Sequence, residues 1–215
     1  MRARTTWISA QGEPTVTLLL RHGQTPMSMQ KRYAGLTDAP LTDTGIQQAV
    51  AAAKRLAPAG IDAIVASPLQ RTVRTAGEVA AVTGVPVLTD EGFRETDFGA
   101  WEGLTFAEVR ERWPSEVTAW LADPSVAPPG GESFAQVSER VTAALRRALT
   151  EREHQTVLIV SHVTPIKTLV AAALLAPPAA LYRMYLDIAA LCEIDWYADG
   201  PAVLRSFNDT AHLQH

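Results

Sequence analysis

Six residues, Thr15-Val16-Thr17-Leu18-Leu19-Leu20, form an apolar, β-branched run that breaks abruptly into Arg21-His22-Gly23. A strand this apolar on both faces must be covered on both sides, the condition of a central parallel strand in an open α/β sheet. Such sheets place their ligand sites beyond the carboxyl ends of the strands, which is where the polar residues fall. Arg21 supplies a planar cation suited to a two-pronged grip on phosphate or carboxylate, and His22 a nitrogen nucleophile or proton carrier near neutral pH. Gly23 lets the backbone approach a ligand closely. Alone, these three residues describe a plain strand end with a surface arginine and a hydrogen-bonded histidine better than they describe a site. The rest of the chain decides.

That rest alternates helices and strands. Gly, Asp and Pro over 33–40 predict a loop, and Ile46, Ala49, Val50, Ala53 and Leu56 recur at helical spacing behind Thr42-Asp43, predicting a helix over 46–56. Residues 61–66 read as a second buried strand that ends in Ser67-Pro68 and opens into a helix over 69–83. Arg71 falls in its first turn, where free backbone N–H groups favour an anion. Residues 85–88 read as a short edge strand because of Pro86. Over 90–131 the chain turns aromatic, acidic and rich in Gly and Pro, with one short helix over 105–112 stopped by Pro114. This stretch reads as an insertion covering the site. A strong helix follows over 132–152, striped by Phe134, Val137, Val141, Leu145 and Leu149. Then come an apolar central strand over 156–161 ending at His162, a helix over 165–175, and a hairpin-like pair, 191–197 with 203–207, around Asp199-Gly200-Pro201. The order implies parallel pairing with right-handed crossovers. The expected fold is a three-layer α/β/α sandwich with a mostly parallel central sheet and a helical and loop insertion over the C-terminal strand ends. Residues 1–14 are expected to be a flexible leader or linker remnant, and 15–215 one domain.

Composition narrows the partners. A net charge of −4 over 215 residues gives no broad basic face for nucleic acid or an anionic membrane, so any anion site must be local. The longest apolar run, 169–176, has eight residues, far short of the roughly 20 a spanning helix needs. The N-terminus carries charge without an apolar stretch behind it, so no secretory signal is expected. Cys192 is the sole cysteine and sits in an apolar run, which fits a buried hydrophobe and a reducing cytoplasm.

Three strand ends thus bring chemistry to one rim: Arg21-His22, Arg71 and His162, with Glu95 arriving from the insertion beside aromatics. Two arginines, two histidines and one carboxylate suit a phosphoryl group better than a metal, because no His-Glu-x-x-His pattern or carboxylate cluster occurs. The motifs Leu20-Arg21-His22-Gly23-Gln24-Thr25, Leu41-Thr42-x-x-Gly45-x-x-Gln48-Ala49, Ser67-Pro68-Leu69-x-Arg71-Thr72-x-x-Thr75-Ala76, Glu95-x-x-Phe98-Gly99-x-Trp101-Glu102-Gly103 and Val160-Ser161-His162 resemble, in order, those of the histidine phosphatase superfamily in its phosphoglycerate mutase-like branch. Within it, the chain looks most like α-ribazole phosphatases and the acid phosphatase domain fused behind ribonuclease H in actinobacteria. Two departures stand out. The Trp-Asn that family members often carry after Arg-His-Gly corresponds here to Met27-Ser28, and the Gly-Gly after the second histidine corresponds to Val163-Thr164.

The resemblance implies a metal-independent phosphomonoesterase without a cofactor, acting on a small phosphorylated metabolite such as an α-ribazole 5'-phosphate-like ester, or on phosphate esters broadly. A mutase-type phosphoryl transferase and a non-catalytic phospho-ligand binder are the alternatives. It assigns His22 as nucleophile, Arg21 and Arg71 as the phosphate clamp, His162 as a protonated third cation and Glu95 as general acid and base. Gln24, Thr25, Ser28 and Val163 join Arg21, Arg71 and His162 as substrate contacts. The expected partner is a small phosphate ester, with no nucleic acid, no membrane and no metal. A fusion to an N-terminal domain and a homodimer are both compatible with it.

Overall fold

The computed structural model describes residues 12–213. The expected leader over 1–14 therefore lies almost wholly outside the described residues. Six strands, β1 (Thr15–Arg21), β2 (Ala63–Ala66), β3 (Val87–Thr89), β4 (Thr156–Ser161), β5 (Leu191–Trp196) and β6 (Ala202–Asp209), form one sheet in the spatial order β3-β2-β4-β1-β5-β6. The first four pair in parallel, and β5 and β6 add an antiparallel hairpin against β1. The helices are α1 (Pro26–Met29), α2 (Asp43–Leu56), α3 (Gln70–Thr83), α4 (Phe106–Arg112), α5 (Pro114–Ala122), α6 (Phe134–Thr150) and α7 (Val163–Ala173).

Side-chain alternation along the strands builds the layers. Leu18 and Leu20 of β1 and Leu158 and Val160 of β4 face Ala52, Ala53 and Leu56 of α2 and Ala76 and Val79 of α3. Their neighbours Leu19, Val157 and Ile159 face the other way, onto Val137, Val141 and Leu145 of α6 and Ile166 and Leu169 of α7. The consecutive apolar residues Leu18–Leu20 of β1 and Val157–Val160 of β4 are thus consumed on two faces, and each fully buried Leu, Ile or Val contributes roughly 1.5–3 kcal/mol. The three-layer sandwich and the edge position of β3 are as expected.

The helix starts show what periodicity misses. α2 begins at Asp43, ahead of the apolar repeat, because Thr42 is its N-cap and accepts the Gly45 N–H at 3.0 Å. Pro114 does not merely stop a helix; it occupies the first position of α5, where its missing N–H has no intrahelical partner to lose. α7 likewise begins at Val163, with Pro165 inside its first turn. The insertion is accordingly a packed cap and not mainly loop. Phe98, Trp101, Val109, Val117 and Trp120 form a core of their own with Phe134 of α6 and Leu181 of the 3-10 turn Pro178–Arg183. Trp101 and Trp120 meet edge-to-face at 5.4 Å.

Candidate active site

Register places the two histidines side by side. Arg21 and Ser161 are cross-strand partners in the parallel β1–β4 pair, so His22 and His162 follow one residue later on adjacent strands. The His22 N–H donates to Ser161 O at 3.1 Å, and the two rings lie 5.1 Å apart at 61°. Both are buried. His22 Nδ1 lies 2.7 Å from Gly23 O; a carbonyl only accepts, so Nδ1 carries the proton and Nε2 the lone pair. Burial first, then Arg21 and Arg71, holds the ring well below the usual histidine range, which keeps it neutral.

The loop carrying His22 is fixed by backbone contact. A Cβ on Gly23 would strike the Gly45 carbonyl, and a Cβ on Gly45 would strike that of Gln24, so two glycines let the start of α2 press against the loop. Gly23 N–H donates to Thr75 Oγ1 at 3.2 Å and Gln24 N–H to Gln48 Oε1 at 2.9 Å. Gly45, Gln48 and Thr75 therefore hold the loop that carries His22.

Arg71 is 1% exposed and almost fully organised by the protein. Its Nη1 donates to Thr37 O and its Nη2 to Gly35 O, both at 2.8 Å, and its Nε to His162 Nδ1 at 3.3 Å. Glu102 pins the same loop by accepting the N–H groups of Leu36 and Thr37 at 2.6 and 3.0 Å. Since Nε only donates, His162 Nδ1 accepts, and Nε2–H donates to Ser67 Oγ at 2.8 Å. Burial, then Arg71, His22 and Arg21, pushes His162 well down. The two nitrogens of the ring are thus tied to Arg71 and Ser67 in a neutral tautomer, and the expected proton is one that a phosphoryl dianion would have to bring. Arg21 donates from Nη1 to Leu186 O at 2.6 Å, and its buried Nε has no hydrogen-bond partner among the described residues.

Glu95, also buried, sits at the N-terminus of α7. Its Oε2 accepts from Val163 N at 3.1 Å, and its Oε1 from Thr164 N at 3.3 Å and Thr96 N at 2.9 Å. Its main chain is held from behind: Arg140 donates to the carbonyls of Gly92, Arg94 and Glu95 at 2.8–3.0 Å while pairing with Glu132, and Ser161 Oγ donates to Phe93 O at 2.7 Å.

These groups open into a cavity of about 400 Å³ lined by Arg21, His22, Thr25, Arg71, Glu95 and Val163 among others. His162 stands behind this lining. Gln24 turns away from it, its Oε1 accepting from Thr42 Oγ1 at 2.8 Å, which corrects the expectation of a substrate contact. Ser28 reaches the lining, but its hydroxyl donates to Thr25 O at 2.8 Å and accepts the Thr25 N–H at 2.9 Å. The Thr25 hydroxyl accepts the Ser28 N–H at 3.1 Å. The pair closes a capping box on α1, so neither hydroxyl faces the cavity unengaged. Arg32, Tyr33, Trp120, Lys167 and Tyr182, to which the sequence reading gave no role in the site, also line it. Lys167 was within reach of that reading, because it lies four residues after Val163 and so on the same helical face. Tyr33 comes from a loop and Tyr182 from the short 3-10 turn Pro178–Arg183, neither of which has a periodic signal.

Comparisons with known proteins agree with this arrangement. The chain is 50% identical over 208 residues to the bifunctional protein Rv2228c of Mycobacterium tuberculosis, covering 96% of this chain and 57% of that protein, so it spans little more than half the length of that relative. It is 34% identical over 203 residues to a probable phosphoglycerate mutase, GpmB, of Proteus mirabilis, covering 91% and 93% of the two chains. The structure of a mycobacterial glucosyl-3-phosphoglycerate phosphatase complexed with VO3 superposes with a TM-score of 0.84 at 31% identity, covering 91% of this chain and 100% of the other. Residues 17–210 match the profile of the histidine phosphatase superfamily (branch 1), and the chain belongs to that superfamily.

Proposed function

We propose that the chain is a metal-independent phosphomonoesterase that hydrolyses a small phosphorylated metabolite through a phosphohistidine on His22. The observation that carries this reading is the His22 ring itself: neutral, anchored through Nδ1–H to Gly23 O, and placed in a cavity with two arginines. Nε2 attacks phosphorus while the ester P–O bond breaks, and the ring takes on positive charge that the Gly23 carbonyl supports through Nδ1–H. Arg21 and Arg71 hold the equatorial oxygens. Glu95 gives its proton to the departing alkoxide, then takes one from the water that attacks the phosphohistidine, and breaking the N–P bond returns neutral His22 and inorganic phosphate. A phosphoryl dianion favours a proton on His162; that proton goes on Nδ1 at the expense of the bond from Arg71 Nε, while Nε2–H stays on Ser67. The arginines supply the cationic charge, and among the described residues no group of three or more His, Cys, Asp or Glu is placed to hold a metal ion.

The aromatic faces of Tyr33, Trp120 and Tyr182 suit a leaving group with a flat or apolar body, which an α-ribazole-like ester or a broad range of phosphate esters satisfies. The reading is tested by phosphate release over a panel of metabolite monophosphates, with wild type and His22→Ala, and by mass spectrometry of enzyme quenched without acid. An acid-labile phosphate on His22, and a dead variant, are expected. Label on a serine, or activity intact in His22→Ala, overturns it.

A further inference from the structure

One cation of the cavity lining has no part in the proposed chemistry. Val163 and Lys167, four apart, share one face of α7, and with Thr164 they line the cavity. Val163 and Thr164 give their N–H groups to Glu95. Lys167 stands one turn beyond Val163, about 6 Å along the helix axis. Its Nζ donates to Leu181 O at 3.3 Å, and an ammonium has three donors, so two remain.

Another cation of the lining, Arg32, has its charge balanced by Glu108 at 2.9 Å and donates to Gly103 O at 2.7 Å. Glu95 is the carboxylate that favours the charged form of Lys167, but it binds the amides of Thr96, Val163 and Thr164 and forms no ion pair with the ammonium. Burial lowers the Lys167 ammonium, the mark of a partly desolvated cation. The facing wall, Tyr33, Trp120 and Tyr182, carries no charge, and burial keeps the Tyr33 phenol protonated, with its pKa raised to about 12.

We propose that Lys167 is a specificity-determining residue: it seats a second anionic group, so that this enzyme prefers phosphomonoesters whose alcohol part carries a carboxylate or a second phosphate over matched neutral ones. The proposal rests on the phosphatase reading and deepens it. With Arg21 and Arg71 assigned to the reacting phosphoryl, a further cation in the same lining with two free donors is left for a second anionic group on the substrate. The bond to Leu181 O alone gives Lys167 a purely structural purpose, tying α7 to the turn Pro178–Arg183. Glutamine keeps a donor for that carbonyl and loses the charge, so it separates the two roles.

The experiment compares kcat/KM within two matched pairs, 3-phosphoglycerate against glycerol 3-phosphate and fructose 1,6-bisphosphate against fructose 6-phosphate, with p-nitrophenyl phosphate as a control for turnover by the wild type. The anionic member of at least one pair is expected to be favoured by roughly 10- to 100-fold, the worth of a charge-assisted hydrogen bond, chiefly through KM. The responding pair distinguishes a carboxylate from a phosphate. Lys167→Gln should abolish the preference and Lys167→Arg should keep most of it. Absence of preference in both pairs, or a preference that survives Lys167→Gln, overturns the proposal while turnover of p-nitrophenyl phosphate leaves the phosphatase reading standing. Failure of the wild type on all five esters overturns both.

Discussion

Replacing Arg71 isolates the contribution of the clamp. A guanidinium has five N–H donors, and three are spent inside the protein, on Thr37 O, Gly35 O and His162 Nδ1, which leaves two for a phosphoryl group. Charge-assisted hydrogen bonds contribute about 1.5–3 kcal/mol each, so two that tighten in the transition state give about 3–6 kcal/mol, or roughly 10²- to 10⁴-fold in kcat/KM. Lysine keeps the charge but has three donors on one atom and cannot serve two carbonyls, a histidine and a substrate together. Arg71→Lys should therefore lose about 10²-fold or more on p-nitrophenyl phosphate, and Arg71→Met more still. Thermal melting by circular dichroism controls for the carbonyls stranded by the change. The methionine variant carries a second signature. Burial is the main cause of the low His22 pKa and Arg71 a further one, so its removal raises that pKa. Because the nucleophile must be neutral, the acid limb of kcat/KM should move to higher pH. A folded Arg71→Lys enzyme within threefold of wild type, or an acid limb that stays put in Arg71→Met, would refute the assignment.

Glu95→Gln should lose roughly 10²- to 10⁴-fold on alkyl esters, whose alkoxides need a proton, and much less on p-nitrophenyl phosphate; equal losses on both would mean that Glu95 serves only to cap α7. Activity should survive EDTA, and a dead chelated enzyme revived by Mg²⁺ would remove the metal-independent reading. Incubation with 3-phosphoglycerate and a bisphosphorylated primer should release phosphate, whereas rapid formation of 2-phosphoglycerate would make the chain a mutase. His22 and His162 both lie well below 6.5 in the folded protein, so below that pH the unfolded chain binds more protons than the native one. Stability should then fall as pH drops from 6.5 toward 5, by up to about 1.4 kcal/mol per pH unit for each histidine; urea midpoints that stay level over that range would contradict two buried neutral rings.

The sandwich was legible because β1 and β4 each carry an unbroken apolar run and their helices carry clean stripes, so the sheet centre and the strand ends followed from periodicity. The meeting of His22 and His162 followed too, since each closes a central strand. The second helix of the cap was missed for a local reason: Pro114 looks like a breaker, yet proline is compatible with a first helical turn, and it opens α5. The places of Gln24 and Ser28 were open for another reason. Short polar side chains beside a nucleophile suit a ligand and a turn equally well, and only the coordinates show the turn using them. The neutral state of His162 was likewise unreadable, because it depends on Arg71 and Ser67 arriving from another strand–helix junction.

What ties these observations together is how far from His22 its protonation is controlled. The free lone pair on Nε2 requires Nδ1–H to stay on Gly23 O, and that carbonyl keeps its place because Gly23 lies against Gly45 and donates to Thr75. Thr75 Oγ1 in turn donates to the carbonyl of Arg71 at 2.7 Å, so one hydroxyl links the residue after the proposed nucleophile to the arginine of the proposed clamp. A shift of the start of α2 or of the first turns of α3 must therefore move nucleophile and clamp together. Their separation, which fixes whether the attacking nitrogen and the held oxygens can be in line, is set by glycine contacts and a threonine hydroxyl at the junction of two helices, and not by the two reactive side chains themselves.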